Sequence, residues 1–204
     1  MSAAERVSST IFDRPPWSTP AFRGVLLPTL YRLLAVFCVS LVTGCTGVPE
    51  GIRPVDSFQV DRYLGTWHEI ARLDNRFERG LSAITASYRL REDGGLDVLN
   101  RGWDIAAGTW REAHGRAYFL QSPDVASLKV SFFRPFYGGY HVFALDTDYR
   151  WVMISGPSRD YLWILARQPE LEPATLAALI ERAGRAGFDT QALIRPSPTA
   201  PQTR

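Results

Sequence analysis

Glu69 is the side chain with most chemical potential in this sequence, because it sits in Trp67-His68-Glu69-Ile70-Ala71 on the parity of a tryptophan and an alanine. A carboxyl carried into an apolar interior must find a cation or take up a proton. Paired with a neighbouring arginine such as Arg116, it is structural. Unpaired, it meets a ligand hydroxyl or amine, or acts as acid and base toward a lipid or a small hydrophobic epoxide or peroxide. Other reactive groups do not assemble. His68, His114 and His141 fall on separate runs, each on the outward parity, and read as solvated surface residues with no shared metal and no triad. Ser155-Gly156-Pro157 lacks the strand-to-helix turn that exposes a nucleophilic serine, and no glycine-rich phosphate loop opens a helix. Both cysteines, Cys38 and Cys45, lie early, so the body of the chain has no thiol for attack or ligation. The sequence therefore reads as a binder without catalytic residues, metal or cofactor.

The elements that would position Glu69 follow from a repeating texture. Short runs rich in β-branched and aromatic residues occupy 65–73, 83–90, 95–101, 111–120, 126–133, 139–145, 150–155 and 161–167. Asp93-Gly94-Gly95, Ser122-Pro123-Asp124 and Gly156-Pro157-Ser158 separate them with the residues tight turns require. Evenly spaced strands of this kind fold as a sandwich or a barrel. A short helical turn within 56–64 precedes them. Pro173 later opens a 3.6-residue pattern with Leu176, Leu179, Ile180 and Ala183 on one stripe and Gly187 as its stop. The run 161–167 is apolar on both parities, so Leu162, Ile164 and Ala166 are expected to receive that helix from outside.

Two runs a hundred residues apart answer each other. Gly65-Thr66-Trp67 opens the first strand, and Tyr161-Leu162-Trp163-Ile164-Leu165-Ala166-Arg167 forms the last. A guanidinium laid over the indole is worth roughly 0.5–2 kcal/mol and would join the first strand to the last. Together with Thr147-Asp148-Tyr149, these runs resemble the three signature motifs of the lipocalins. Arg62-Tyr63-Leu64-Gly65-Thr66-Trp67, Phe77-Glu78-Arg79-Gly80 and Pro135-Phe136-Tyr137-Gly138-Gly139-Tyr140 resemble the bacterial outer-membrane lipoprotein branch of that family. The likeness spans residues 58–194. It implies an all-β fold: an eight-stranded antiparallel up-and-down barrel with the C-terminal helix packed outside. Gly65, Trp67, Asp148 and Arg167 would be its structural residues.

Alternation at period two assigns the faces. With Trp67 inward, Glu69, Ala71 and Leu73 follow, and Trp163, on the parity of Arg167, stands about four residues above the floor. Taking the less charged face elsewhere adds Ala86 and Tyr88, Val98 and Asn100, Val130 and Phe132, then Tyr140 and Val142 as candidate ligand contacts. An eight-stranded barrel either fills itself or holds one small ligand. Interleaved small residues (Ala86, Gly115, Ala117, Ala144) favour a cavity. The family resemblance implies a hydrophobic cargo, such as a fatty acid or a lysophospholipid. The alternatives are a lipid-directed enzyme using Glu69 and a filled barrel acting as an interaction module. In the latter, Phe132-Phe133-Arg134-Pro135-Phe136-Tyr137 lines the mouth, touches membrane or forms a subunit interface. Homodimerisation stays open.

Residues 33–42 are mostly apolar, follow Arg23 and Arg32, and end in Leu41-Val42-Thr43-Gly44-Cys45. The run is too short to span a bilayer and reads as a secretory signal. Its end resembles a bacterial lipobox, which implies cleavage before Cys45 and acylation there, each buried CH₂ adding about 0.8 kcal/mol of membrane affinity. Thr46, where an aspartate would signal inner-membrane retention, favours the outer membrane and its periplasmic face. The expected organisation is a removed leader (1–44), a flexible lipidated tether (45–55), the barrel with its helix (56–195) and a disordered tail (196–204). The polar, proline-broken stretch before residue 22 suggests translation starting near Val25. Without the leader the chain carries nineteen basic and nineteen acidic residues. No basic stripe remains, and nucleic acid is excluded as a partner.

Overall fold

A computed structural model describes residues 46–201, so the leader and Cys45 lie outside the described residues. Helix α1 (Val60–Tyr63) leads into eight strands: β1 (Gly65–Arg72), β2 (Leu81–Leu90), β3 (Leu96–Asp104), β4 (Thr109–Phe119), β5 (Ser127–Phe133), β6 (Phe136–Leu145), β7 (Trp151–Ser155) and β8 (Leu162–Ala166). Each pairs antiparallel with its sequence neighbour, and β8 returns to β1 through Glu69↔Leu165, closing the barrel. Up-and-down winding puts the β1–β2, β3–β4, β5–β6 and β7–β8 connections at one end. The other three connections and α1 lie at the opposite end.

Helix α2 (Pro173–Arg185) begins on proline, whose missing N–H is harmless at a first turn, and is followed by Gly187 at φ 86°. It buries Leu176, Leu179 and Ala183 against Ile164, Ala166, Ala71 and Met153 on the outer wall. Each such leucine contributes roughly 1.5–3 kcal/mol, so this face, rather than helix propensity, holds α2 in place. An aspartate at Leu179 would release it. The interior core is separate and contains Trp67, Tyr88, Leu96, Val98, Leu128, Val152 and Ile154. Strand β7 therefore directs Val152 and Ile154 inward and Met153 outward.

β-Bulges break the uniform alternation. In β1 the register slips between Glu69 and Ala71, leaving Ile70 as the extra residue. Ala71 and Leu73, expected inside, therefore pack under α2, and Arg72 turns into the barrel instead. A slip between Val142 and Ala144 likewise sends Ala144 to the helix side.

The stretch read as a flexible tether is pinned to the wall. Val55 N–H donates to Val142 O (2.8 Å) and Val55 O accepts from Ala126 N (2.9 Å). Ile52 is buried beneath α2, and Arg159 donates to the carbonyls of both Glu50 and Ala186. His141, expected in solvent, is fully buried by this segment: its Nε2 lies 3.0 Å from Gly47 O and its Nδ1 2.9 Å from Ser127 Oγ. The stretch after residue 196 also touches the barrel, Ser197 O accepting from Ala83 N at 2.8 Å, next to the Arg72↔Ile194 bridge. In the loop before β7, which carries Asp148, the carboxylate that holds the turn is that of Asp146. Asp146 accepts from the backbone N–H of Asp148 and Arg150 and from the Arg150 guanidinium, while the Asp148 carboxylate is exposed. The neighbouring Arg150 holds the Asp146 carboxyl below its ordinary range.

Candidate ligand cavity

The floor is built from α1 and the first strand. Trp67 is fully buried, its Nε1–H donates to Tyr63 O at 2.8 Å, and the Arg167 guanidinium lies 3.9 Å from the indole centroid. Arg167 also donates to Thr66 O and Arg62 O, so it is a bracket across three segments as well as a cation over a ring. Gly65, at φ 89°, lets the chain turn from α1 into β1 with the Arg167 side chain against it. Above them Tyr63, Tyr88 and Tyr140 bring their hydroxyls together, Tyr140 lying 2.5 Å from Tyr63 and 2.8 Å from Tyr88. Burial pushes the Tyr88 phenol up to about 12, and raises Tyr63 and Tyr140 well above their ordinary values, so all three stay neutral.

Over this platform lies a cavity of about 100 Å³. Ala86, Tyr88, Val98, Asn100, Val130, Phe132, Tyr140, Trp163 and Glu69 all line it, as parity required. Val142 does not: it is fully buried in the interior core without reaching the free space. Gly115, counted as making room, makes it for Phe132 instead, since a Cβ there would stand 2.8 Å from the ring.

One wall carries charge. Arg72 Nη1 donates to Glu69 Oε1 at 2.7 Å, and Nη2 donates to Glu78 O at 2.9 Å. The Glu78 carboxylate in turn accepts from Trp163 Nε1 (2.9 Å) and Asn75 Nδ2 (2.5 Å), folding the β1–β2 loop against the mouth. Glu69 thus pairs with Arg72, not Arg116, whose nearest carboxylate is Asp97 on the surface. Burial, then the adjacent Glu78 carboxylate, push the Glu69 carboxyl well above its ordinary range, and Arg72 only partly opposes them. Arg72, Glu78 and Tyr63 were not read from the sequence as site residues. Periodicity hides Arg72 behind the bulge, and only the phrase Phe77-Glu78-Arg79-Gly80 pointed toward Glu78. Asn100 Oδ1 is buried here without a hydrogen-bond partner, an acceptor facing a cavity.

The wall is incomplete between β4 and β5, which pair only from Arg116↔Ser131 to Phe119↔Leu128, leaving the upper half of β4 bonded to β3 alone. A surface cleft of about 580 Å³ lies over this part of the wall, lined by Arg89, Asp97, His114, Arg116 and Arg134 together with Tyr88, Val98 and Phe132, which also line the inner cavity.

Comparison with known proteins places this geometry. The family model of the lipocalin-like domain matches residues 58–198. The chain is 50% identical over 163 residues to outer membrane lipoprotein Blc of Vibrio cholerae, covering 79% of this chain and 95% of that protein. It is 38% identical to temperature-induced lipocalin-1 of Arabidopsis thaliana over 148 residues, covering 68% and 78% of the two chains. Among solved structures, insecticyanin of the tobacco hornworm Manduca sexta superposes with a TM-score of 0.58 at 18% identity, over 74% of this chain and 87% of that one. That last likeness concerns the fold alone.

Proposed function

The chain belongs to the lipocalin family, and from that premise we propose that its barrel takes up one single-chain amphiphile, a fatty acid or a lysophospholipid, at the outer membrane. As an outer-membrane lipoprotein it would be held there through acylated Cys45, with the barrel on the periplasmic side. The observation that carries this reading is an apolar cavity on the barrel axis. It lies above a neutral tyrosine platform and beside the Glu69–Arg72–Glu78 wall and the unpartnered Asn100 oxygen. The acyl chain gains roughly 25 cal/mol per Å² of apolar surface removed from water, and the polar wall meets the head group. The cavity as it stands is smaller than the roughly 300–1,000 Å³ typical of ligand sites, so uptake requires the side chains that line it to move. Because Arg72 already engages Glu69, this carboxyl suits a wall group better than an acid/base catalyst.

Native mass spectrometry of the mature protein, with extraction of any bound lipid, tests the reading directly. A stoichiometric lipid adduct is expected. Val98→Phe, which fills the cavity and leaves the floor intact, should abolish the adduct and the displacement of a fluorescent fatty acid. A barrel that purifies empty and rejects the probe would instead favour the filled-barrel module.

A further inference from the structure

Charge divides the barrel from side to side. On the flank that α2 covers, the helix and its neighbours carry Glu170, Glu172, Glu181 and Asp189 against Arg182 and Arg185. The opposite outer wall, from β2 to β5, is basic. There Arg89, Asp97, Arg116 and Ser131 stand directly opposite one another on successive strands, a single row across four strands. Leu96, Val98 and Ala117 belong to the interior core, so this alternate row faces outward. One carboxylate serves three guanidinium groups in it, since Asp97 lies 2.7 Å from Arg89, 3.1 Å from Arg91 and 3.9 Å from Arg116. Arg116 is the loosest of the three.

The end of the row is unfinished. Ser131 is buried in the wall of the cleft, and its hydroxyl has no hydrogen-bond partner, although buried hydroxyls normally find one. Arg134 folds back over the same outer face, donating to Tyr118 Oη at 3.4 Å, and has no carboxylate within salt-bridge distance among the described residues. Lys129, two residues before Ser131, lies 5.0 Å from the Tyr137 ring centroid instead of against an acid. Two underused guanidinium groups on either side of an unpartnered hydroxyl suit a phosphate. Its several oxygens can accept from donors on different sides, whereas a carboxylate offers two in one plane.

The source of that phosphate follows from where the described chain begins. Lys129 pairs with Gly139, and the Gly47 carbonyl lies beside Gly139 and 3.0 Å from His141 Nε2. The beginning of the described chain is thus about 5 Å, one strand, from the basic wall. Two residues of chain reach at most about 7 Å, so an anchor at Cys45 keeps this flank close to the membrane surface.

We infer that the outer β4–β5 wall is a head-group site. The phosphate of an anionic phospholipid, in the leaflet that takes the anchor, sits against Arg116, Arg134 and the Ser131 hydroxyl, and the barrel rests on this flank. The orientation depends on the proposed acylation of Cys45. The contacts do not, and neither depends on the cargo.

The mature protein in neutral-detergent micelles is titrated with phosphatidylglycerol, phosphatidylcholine and inorganic phosphate while its amide resonances are followed. Phosphatidylglycerol is expected to shift Arg116 and Ser131 saturably, and phosphatidylcholine, whose choline cancels the charge, at least about tenfold more weakly. Arg116→Gln combined with Arg134→Gln should weaken phosphatidylglycerol binding about tenfold or more. Its thermal midpoint and its displacement of a fluorescent fatty acid should match the parent. In discs of phosphatidylethanolamine and phosphatidylglycerol, a gadolinium-bearing head group should broaden the amides of 129–131 and spare those of 176–183 on α2. Equal shifts with both lipids, or none, overturn the site. So does inorganic phosphate that saturates Ser131 where phosphatidylglycerol fails to bind, because the wall would then hold a solute. Broadening strongest on α2 or at the mouth overturns the orientation. A protein without an acyl group that still binds phosphatidylglycerol at Ser131 supports the site and defeats the anchor. Loss of fatty-acid binding beside an intact Ser131 shift supports the site and defeats the cargo reading alone.

Discussion

Trp67 at the sealed end and Trp110 at the open rim each have a guanidinium 3.9 Å from the ring centroid, from Arg167 and Arg101 respectively. The first indole is fully buried and the second is 39% exposed. The cation–π contact therefore does not decide burial. At the sealed end α1 covers the pair and supplies Arg62 O and Tyr63 O, and β1 supplies Thr66 O, as fixed acceptors. At the rim Arg101 has Glu112 at 3.4 Å in solvent, and Trp103 meets Trp110 edge-on at 5.5 Å, with no further segment above them. Similar chemistry seals one end and leaves the other available, and the difference lies in which end receives a covering segment.

The strongest way to break this comparison is to remove each indole. Trp67→Ala should cost about 3–5 kcal/mol, the usual range for emptying a buried aromatic site, while Trp110→Ala should cost less than about 1 kcal/mol. Urea midpoints of the two variants measure both, and equal losses would show that the ends are not energetically distinct. Next in size is the charged wall. Arg72→Leu leaves Glu69 and Glu78 without their buried cation and should cost on the order of 3 kcal/mol. Adding Glu69→Leu to it should recover much of that loss, because two apolar groups replace the broken pair. A double variant no more stable than the single one would mean that Arg72 acts by packing.

Much of this contrast was legible in the sequence. Turn residues and β-branched runs located all eight strands, and the two-faced apolarity of β8 foretold the helix outside. The paired motifs foretold the Trp67–Arg167 contact. What escaped has a common physical origin. Parity is a rule about unbroken pleats, so one extra residue at Ile70 reversed Ala71, Arg72 and Leu73 together, and another at Phe143 reversed Ala144. The burial of His141 depends on a segment 94 positions away lying over it, which alternation within β6 cannot register. Asp146 and Asp148 are chemically the same, and only the turn geometry, with Tyr149 at φ 59°, selects which carboxylate faces the loop amides.

A smaller effect separates inside from outside by the sign of a pH slope. Glu69 keeps its proton to higher pH in the folded barrel than in the unfolded chain, because burial and the Glu78 carboxylate raise its pKa. Stability from that site is complete at low pH and is lost as pH rises through the raised folded value. His141 behaves oppositely. Burial lowers its pKa, so its contribution is present above the ordinary histidine value and is lost as pH falls through the folded one. Glu69→Gln should remove the first slope and keep the second in a series of urea midpoints against pH. An unchanged upper limb would remove Glu69 from that role.

The smallest expected effect sharpens the comparison most. Phe133→Ser with Phe136→Ser deletes two aromatic rings, more apolar surface than Trp67→Ala removes, yet both rings already lie mostly in water. Their loss should change stability by no more than about 0.5 kcal/mol, as at other exposed positions. A thermal melt of this variant within a degree or two of the parent, beside the collapse expected of Trp67→Ala, would mean that the rim's aromatics are held for a surface outside the protein. A substantial destabilisation would mean that they pack on their own barrel, and the rim would then be a second seal.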